Sequence, residues 1–320
     1  MHLRHSTKRY LSLLAKLILL AGCVVYLFTG VDLGRLITAI GSYHNGKILL
    51  VLISMATGFV LMGMRLWDLA QGALGLAKSV FAEFYGFFVN NVLPARLGEM
   101  AKIVYLCKED SIQPSQGTEF VFWERFADLN VFLLFALFSA FMTGRLAIVL
   151  PFGALALIIW GLVIFFFLHS EQVYRFIRII PGRMVEDFIR SFLGYVQART
   201  GRSGYAKLAL FSLLIWVEHL MQIFLIIYWV AGFDLTLNQG FVVFALTLTG
   251  LSLPLAPAGL GLADSAMVFS LGLYGVGHNE ALAASLIWRS MQYVITISTG
   301  LMVMFRYGGS GFRDLLEQHR

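Results

Sequence analysis

Ionisable side chains stand inside stretches of this sequence that are otherwise apolar, and they are the first residues that could do chemistry. Nine positions have this character: Arg96, Glu99, Glu124, Arg125, Asp128, Glu218, His219, Asp264 and Arg289. A charge in an apolar environment is costly unless it is paired, and arginine binds phosphate through two parallel hydrogen bonds. The pattern leaves two interpretations open, namely ion pairs that hold helices together and a site for an anionic group.

The elements that must position these charges are apolar helices. The chain has 320 residues, of which 59% are hydrophobic and 13% are charged, and its mean hydropathy is +0.79. A soluble domain of this length would need more charge to cover its surface. The sequence therefore predicts an all-α, polytopic membrane protein with one transmembrane domain over residues 1–320. The two cysteines, Cys23 and Cys107, match no metal spacing, and no metal or cofactor is predicted.

Apolar runs of about 20 residues are long enough to cross a bilayer as helices. Six full spans are predicted, at 10–29, 48–67, 120–142, 146–169, 208–230 and 281–305. Two further apolar stretches, 79–107 and 239–276, are interrupted by proline and glycine, so that neither half is long enough to cross. Because broken backbone is tolerated at membrane depth only inside protein or beside water, we predict two re-entrant helical hairpins. The break residues are Pro94, Gly98, Pro254, Pro257, Gly259 and Gly261.

The two interrupted stretches, each taken together with the span that follows it, have the same pattern of residues. Each contains, in order, a proline, an acid and an arginine: Pro94, Glu99 and Arg125 in the first, Pro257, Asp264 and Arg289 in the second. If one hairpin opens inward and the other outward, the pattern is that of an inverted repeat, which many secondary transporters use to alternate access. The predicted repeat units are 79–142 and 239–305.

Basic residues predict the orientation of the chain. With the N-terminus in the cytoplasm, 18 of the 24 lysines and arginines fall in cytoplasmic segments, three in outer segments and three inside spans. Both termini and an amphipathic connector at 170–206 are then cytoplasmic. The net charge of +6 follows from this topology and is spread over the inner face, so no nucleic-acid partner is predicted.

A head-group site is predicted near the hairpin tips. Arg96, Arg125 and Arg289 would bind a phosphate, assisted by the positive ends of the half-helices. The acids Glu99, Glu218 and Asp264 would pair with these arginines, bind a cationic group or carry a proton. The polar residues assigned to the same site are Asn90, Asn91 and Gln292. No phosphate loop, HExxH, CxxC or GxSxG motif occurs, so no catalytic residue is predicted and the chain is not expected to be an enzyme.

Four segments resemble a known family: "FFVNNVLPARLGEMAKIVYL", "ERFADL", "PLAPAGLGLADSAMVFSLGLYGV" and "AASLIWRSMQYV". They are similar to the lysylphosphatidylglycerol synthase transmembrane-region family, flippase-like proteins related to the lipid-flipping half of the bacterial multiple peptide resistance factor. The family pattern has a glutamate close after the GLG turn, where this chain has Asp264. Relatives with two activities carry a cytosolic aminoacyl-transferase domain, whereas this chain ends at Arg320 with a short tail.

The resemblance implies lipid translocation, and the arginines indicate that the lipid bears a phosphate. The chain is therefore expected to be a flippase in a bacterial cytoplasmic membrane that moves a phosphate-bearing, optionally aminoacylated, lipid between leaflets. We expect that the chain does not make lysyl-lipid itself. The expected partners are the membrane lipid, a separately encoded lipid-modifying transferase and a further copy of the chain. Two alternatives stay open: a membrane enzyme or accessory subunit acting on a polyprenyl-phosphate or phospholipid, and a scaffold for a separate synthase.

Overall fold

The computed structural model describes residues 20–43, 45–93, 97–110, 112–142, 202–252 and 259–307, with short pieces at 153–154, 157–158 and 160–161. All regular elements in this part of the chain are helices. They are α1 Leu20–Phe28, α2 Leu33–Ser42, α3 Asn45–Leu69, α4 Leu76–Val92, α5 Gly98–Asp110, α6 Pro114–Met142, α7 Arg202–Phe224, α8 Leu237–Ser252, α9 Leu262–Gly272 and α10 His278–Tyr307. The last turns of α7 continue as a π-helix over Leu225–Val230.

Two helices are long and apolar enough to cross a membrane alone. They comprise Gly46–Leu69, which is most of α3, and Gly204–Val230, which is α7 with its π-helical end. These helices contain the predicted spans at 48–67 and 208–230. The predicted spans at 120–142 and 281–305 lie within α6 and α10, continuous helices of 29 and 30 residues. The predicted span at 146–169 and the connector at 170–206 fall almost wholly outside the described residues.

The first predicted span, at 10–29, is described only from residue 20, and it leads into a second short helix that the sequence analysis missed. α1 and α2 are bent by 83° at their junction. The carboxylate of Asp32 caps α2, because its Oδ1 accepts hydrogen bonds from the backbone N–H groups of Gly34 (2.9 Å) and Arg35 (3.1 Å). Leu33 and Ile37 lie exposed one turn apart. α2 therefore presents an apolar strip, which is typical of a helix at a membrane surface.

The chain folds into two compact units. Unit 1 comprises Met1–Thr57, Phe84–Gly98 and Glu218–Arg306. Unit 2 comprises Gly58–Glu83, Glu99–Val217 and Tyr307–Arg320. Boundaries between them fall inside α3, α4, α5 and α7, so these helices contribute residues to both units.

The two predicted breaks separate pairs of short helices. α4 and α5 have 17 and 13 residues, and α8 and α9 have 16 and 11. Each is shorter than the about 20 residues that cross a bilayer. The second break contains Gly259 (φ 67°) and Gly261 (φ 78°), in the left-handed region that glycine adopts without strain. The break residues Pro94, Pro254 and Pro257 lie outside the described residues.

Glycines let the backbones on either side of each break approach closely. A Cβ atom on Gly98 would overlap the carbonyl oxygen of Gly86 in α4. A Cβ atom on Gly250 in α8 would lie 2.7 Å from the carbonyl oxygen of Leu262 and 2.9 Å from the Cα of Ala263, at the start of α9. Both contacts are with backbone, which cannot move aside as a flexible side chain can. Close packing of α8 on α9 therefore depends on the missing side chain.

We expect Gly98→Ala and Gly250→Ala each to destabilise the protein by about 1–3 kcal/mol, because the added methyl group forces packed backbones apart. The measurement is the thermal unfolding midpoint of the purified protein in detergent. Gly41→Ala is the matched control, since nothing lies within 4 Å of its added Cβ. An unchanged midpoint for Gly98→Ala and Gly250→Ala would show that these backbone contacts are not tight.

Candidate functional site

Unit 2 contains a group of charged side chains that apolar helices bury almost completely. We call it the buried charge cluster; its members are Arg65 of α3, Glu83 of α4, Lys102 of α5, and Glu124 and Asp128 of α6. The exposed fractions are 2% for Arg65 and Lys102, 3% for Glu83 and 0% for Glu124. Such groups stay in place only when they neutralise one another, so the cluster fixes the positions of four helices.

Lys102 connects two acids within the cluster. Its Nζ donates to Glu83 Oε1 at 3.0 Å and makes a short hydrogen bond to Glu124 Oε2. The second basic side chain, Arg65, lies on the other side of Glu124, with its Nη2 3.9 Å from Glu124 Oε1. Glu124 thus contacts both cations of the cluster, and Glu83 contacts Lys102.

Arg65 is held mainly by Asp128. Arg65 Nη1 donates to Asp128 Oδ1 at 2.6 Å and to Ser212 Oγ at 3.0 Å, and its Nη2 lies 3.5 Å from Asp128 Oδ2. Trp216 Nε1 also donates to Asp128 Oδ1, at 3.3 Å. Asp128 therefore accepts bonds from α3 and α7, and this arrangement joins three helices of the unit through one carboxylate.

A half-exposed ion pair lies at the edge of this cluster. Arg125 Nε is 2.9 Å from Glu99 Oε1, and Arg125 Nη1 is 3.3 Å from Asp128 Oδ2. The side chains of Arg125 and Glu99 are 48% and 33% exposed, against 17% for Asp128. An unbroken series of contacts therefore leads from the buried acids, through Arg65 and Asp128, to an accessible guanidinium.

Unit 1 contains the corresponding ion pair, but it is buried. Arg289 Nε donates to Asp264 Oδ1 at 3.2 Å and its Nη2 donates to Oδ2 at 3.2 Å. Asp264 also accepts from Ser285 Oγ (3.0 Å) and from the backbone N–H of Gly261 (3.0 Å), so it caps α9 as well. Asp264 and Arg289 are each 4% exposed, and the guanidinium lies 5.3 Å from the ring centre of Trp288. The carboxylate has all the partners it needs, which is typical of a structural ion pair.

Glu218 belongs to a separate hydrogen-bonded group in unit 1. Gln222 Nε2 donates to both of its carboxylate oxygens at 2.8 Å, and Ser54 Oγ donates to Oε1 at 2.9 Å. His219 Nδ1 lies 3.5 Å from Glu218 Oε2, and Trp288 Nε1 donates to Gln222 Oε1 at 3.4 Å. Glu218 is thus held by α3 and its own helix, and Gln222 links the group to α10.

The predicted polar residues near the first break make contacts between helices. The backbone N–H of Gly98 donates to Asn90 Oδ1 at 2.7 Å, so that Asn90 of α4 caps the start of α5. Asn91 Nδ2 donates to Thr296 Oγ1 of α10 at 2.5 Å. Gln292 accepts a bond from the Thr296 hydroxyl through its backbone carbonyl, at 2.7 Å. The asparagines therefore position the half-helices.

The structure pairs two of the three predicted acids with the arginine of the same predicted repeat unit. Glu99 contacts Arg125 and Asp264 contacts Arg289, so the two pairs occupy corresponding positions of the repeated pattern. Arg125 belongs to unit 2 and Arg289 to unit 1, and each has its own carboxylate partner. Arg96, the third predicted phosphate ligand, lies outside the described residues. No group of three or more His, Cys, Asp or Glu side chains suited to a metal ion occurs in the described ranges.

Sequence reasoning missed three members of the buried charge cluster: Arg65, Glu83 and Lys102. It counted Arg65 and Lys102 among the cytoplasmic basic residues, but both are buried in ion pairs, where they carry no orientation signal. A signal for Glu83 was present, because it is the lone charge in the apolar run "SVFAEFYGFFV".

Comparison with known proteins shows the family of the chain. A model of the family described as "Lysylphosphatidylglycerol synthase TM region" matches residues 13–300, about nine-tenths of the chain. The chain belongs to this family. The family membership and the long apolar helices make it a multi-pass membrane protein.

The relatives of this family member are archaeal proteins described as UPF0104 membrane proteins. One from Methanocaldococcus jannaschii is 25% identical over 232 residues, covering 68% of this chain and 93% of its own length. A second from the same organism is 23% identical over 304 residues, covering 86% and 88%. One from Methanothermobacter thermautotrophicus is 22% identical over 249 residues, covering 72% and 74%. The similarity extends over most of each chain.

We expect Arg289→Gln to destabilise this family member by about 3–5 kcal/mol, because it leaves the Asp264 carboxylate buried without its cation. The double variant Arg289→Gln with Asp264→Asn should recover much of that loss, since neither side chain is then charged. Thermal unfolding midpoints in detergent measure both effects. A stable Arg289→Gln protein would contradict the structural assignment of the pair and favour a ligand-binding role for Arg289.

Proposed function

We propose that the protein moves a phosphate-bearing lipid between the leaflets of the membrane. Membership of a family named for the transmembrane region of a lipid synthase supports a lipid-related role. The single observation that carries the proposal is the half-exposed Arg125–Glu99 pair beside Asp128. It supplies a guanidinium and two carboxylates at a place that an outside molecule can reach.

The charges at this place favour a head group that carries both an ammonium and a phosphate. Arg125 would bind the phosphate through two parallel hydrogen bonds. Glu99 and Asp128 would repel a head group that is only anionic, whereas they would pair with an ammonium. An amine-bearing or aminoacylated phospholipid therefore fits better than an anionic phospholipid. A separately encoded transferase would supply the aminoacylated form.

Under this proposal the short helix pairs α4–α5 and α8–α9 are re-entrant hairpins of an inverted repeat. Their lengths, the close glycine contacts and the matching ion pairs Glu99–Arg125 and Asp264–Arg289 support this arrangement. Half-helices whose N-termini point to a head group add positive dipole there. The acyl chains stay in the bilayer while the head group passes through a polar path.

The test is lipid translocation by purified protein in vesicles, followed with head-group-labelled lipids of two kinds, amine-bearing and purely anionic. Arg125→Gln should slow movement of the amine-bearing lipid by about tenfold or more, a loss equivalent to one charge-assisted hydrogen bond of about 1.4 kcal/mol or more. Arg125→Lys keeps the charge and should reduce the rate only partly. Glu99→Gln should reduce the preference for the amine-bearing lipid.

Arg35→Gln is the control, because Arg35 also pairs with a carboxylate, Asp32 at 3.6 Å, but on the exposed helix α2. It should leave both rates unchanged. Translocation by Arg125→Gln at the rate of the unmodified protein would contradict the head-group site. Movement of neither lipid by the unmodified protein would contradict the proposed function itself.

A further inference from the structure

The buried charge cluster has an unequal number of positive and negative groups. Arg65 and Lys102 provide two positive charges, whereas Glu83, Glu124 and Asp128 would provide three negative charges if all were ionised. The adjoining pair of Arg125 and Glu99 adds one charge of each sign, so the excess of one acid remains. An uncompensated negative charge in so dry a place is strongly unfavourable. One of the three acids should therefore be neutral, which means that it holds a proton.

The geometry indicates which acid holds it. One ammonium, Lys102 Nζ, bridges the carboxyl groups of Glu83 and Glu124 and so brings them close together. A carboxylate can only accept hydrogen bonds, so two buried carboxyl groups held against one ammonium repel each other unless one of them keeps a proton. Glu124 lies against both cations and is the better ionised partner. Glu83 is therefore the carrier of the proton, and the cluster is then neutral.

We propose that Glu83 binds one exchangeable proton, shared with Glu124, and that this buried proton site drives lipid movement. The first part stands on the cluster alone. The second part rests on the proposed function. When the proton is present, Glu83 donates to the Glu124 carboxylate; when it leaves, both carboxylates compete for Lys102.

Charged and polar groups from five helices face this proton site. They are Arg65 from α3, Glu83 from α4, Lys102 and Glu99 from α5, Glu124, Arg125 and Asp128 from α6, and Ser212 and Trp216 from α7. Within the described part of the chain, Glu124 Oε1 and Arg65 Nε are buried and have no hydrogen-bond partner. Each could take up a new bond without first breaking an old one.

Through these two atoms, the protonation state of Glu83 can affect the half-exposed pair of Arg125 and Glu99. Loss of the Glu83 proton draws Lys102 toward Glu83 and weakens its hold on Glu124. Glu124 then attracts Arg65 more strongly, so the bond between Arg65 and Asp128 weakens. Asp128 is left to bind Arg125, where it competes with a lipid phosphate. Deprotonation should therefore release the head group, and protonation should allow it to bind.

The proton itself is observable by infrared difference spectroscopy on the purified protein. The unmodified protein at neutral pH should show a C=O band of a protonated carboxylic acid that shifts in D2O. Glu83→Gln should abolish the band. Asp234→Asn, which alters an exposed acid in the loop before α8, should leave it unchanged. A spectrum without such a band would overturn the proton site.

Glu83→Gln also provides a test that does not depend on spectroscopy, because glutamine resembles the protonated acid. Its thermal unfolding midpoint at neutral pH should equal or exceed that of the unmodified protein. If Glu83 were instead ionised, the variant would remove one of the two carboxylates that bind Lys102, and the midpoint would fall. A clear fall would therefore overturn the assignment of the proton to Glu83.

The link to lipid movement is tested in vesicles with and without an imposed pH gradient. The gradient should change the translocation rate of the unmodified protein several-fold, and the Glu83→Gln rate should not respond to it. If the carboxylic acid band is present but the translocation rate of the unmodified protein does not respond to the gradient, the link to lipid movement is overturned and the proton site stands. The band without translocation of any lipid would overturn the proposed function, and with it the link, but again not the site.

Discussion

The structure depends on the neutralisation of charges that lie among apolar helices. In each unit a carboxylate near the start of a short helix is paired with an arginine from the long helix that follows. Asp264 begins α9 and is reached by Arg289 of α10, and Glu99 begins α5 and is reached by Arg125 of α6. A broken helix in a membrane exposes backbone groups that must find partners within the protein. Asp264 meets that need, because it accepts the Gly261 N–H while it binds the guanidinium. The same carboxylate therefore caps the helix after the break and forms the ion pair.

The same pattern of residues has different consequences in the two units because the pairs differ in exposure. Arg289 is 4% exposed, and its partner carboxylate is saturated by four hydrogen bonds from three residues. Removing that carboxylate would leave a buried cation unpaired. The side chain of Arg125 is 48% exposed, so water or a ligand can replace one of its carboxylate partners at small cost. An exchange of partners is therefore feasible at Arg125 and unfavourable at Arg289.

The sequence predicted features that depend on neighbouring residues, and it missed contacts between residues that are distant along the chain. Apolar runs and proline–glycine breaks are local signals. They correctly located α3 and α7 and the interruptions between α4 and α5 and between α8 and α9. The spacing of Glu99 and Asp264 relative to the arginines suggested a repeated pattern, but it left open whether these acids pair with the arginines. The buried charge cluster was missed because its contacts are distant in sequence: Arg65 and Asp128 are 63 residues apart. Side-chain types along one helix do not reveal a partner on another, and Arg65, near the end of a span, looked like a solvated loop residue.

The buried charge cluster and the Arg125–Glu99 pair meet at Asp128, which shares its two oxygens between Arg65 and Arg125. Any change in the charge of the cluster must therefore alter how strongly the Asp128 carboxylate binds Arg125. A buried ion pair transmits such a change efficiently because no water intervenes to screen it. A half-exposed pair can respond because its partners are exchangeable. Under the proposal that Glu83 holds a proton, a buried, charge-balanced cluster joined to a half-exposed ion pair is a physical basis on which that proton can alter the binding of one head group without unfolding any helix.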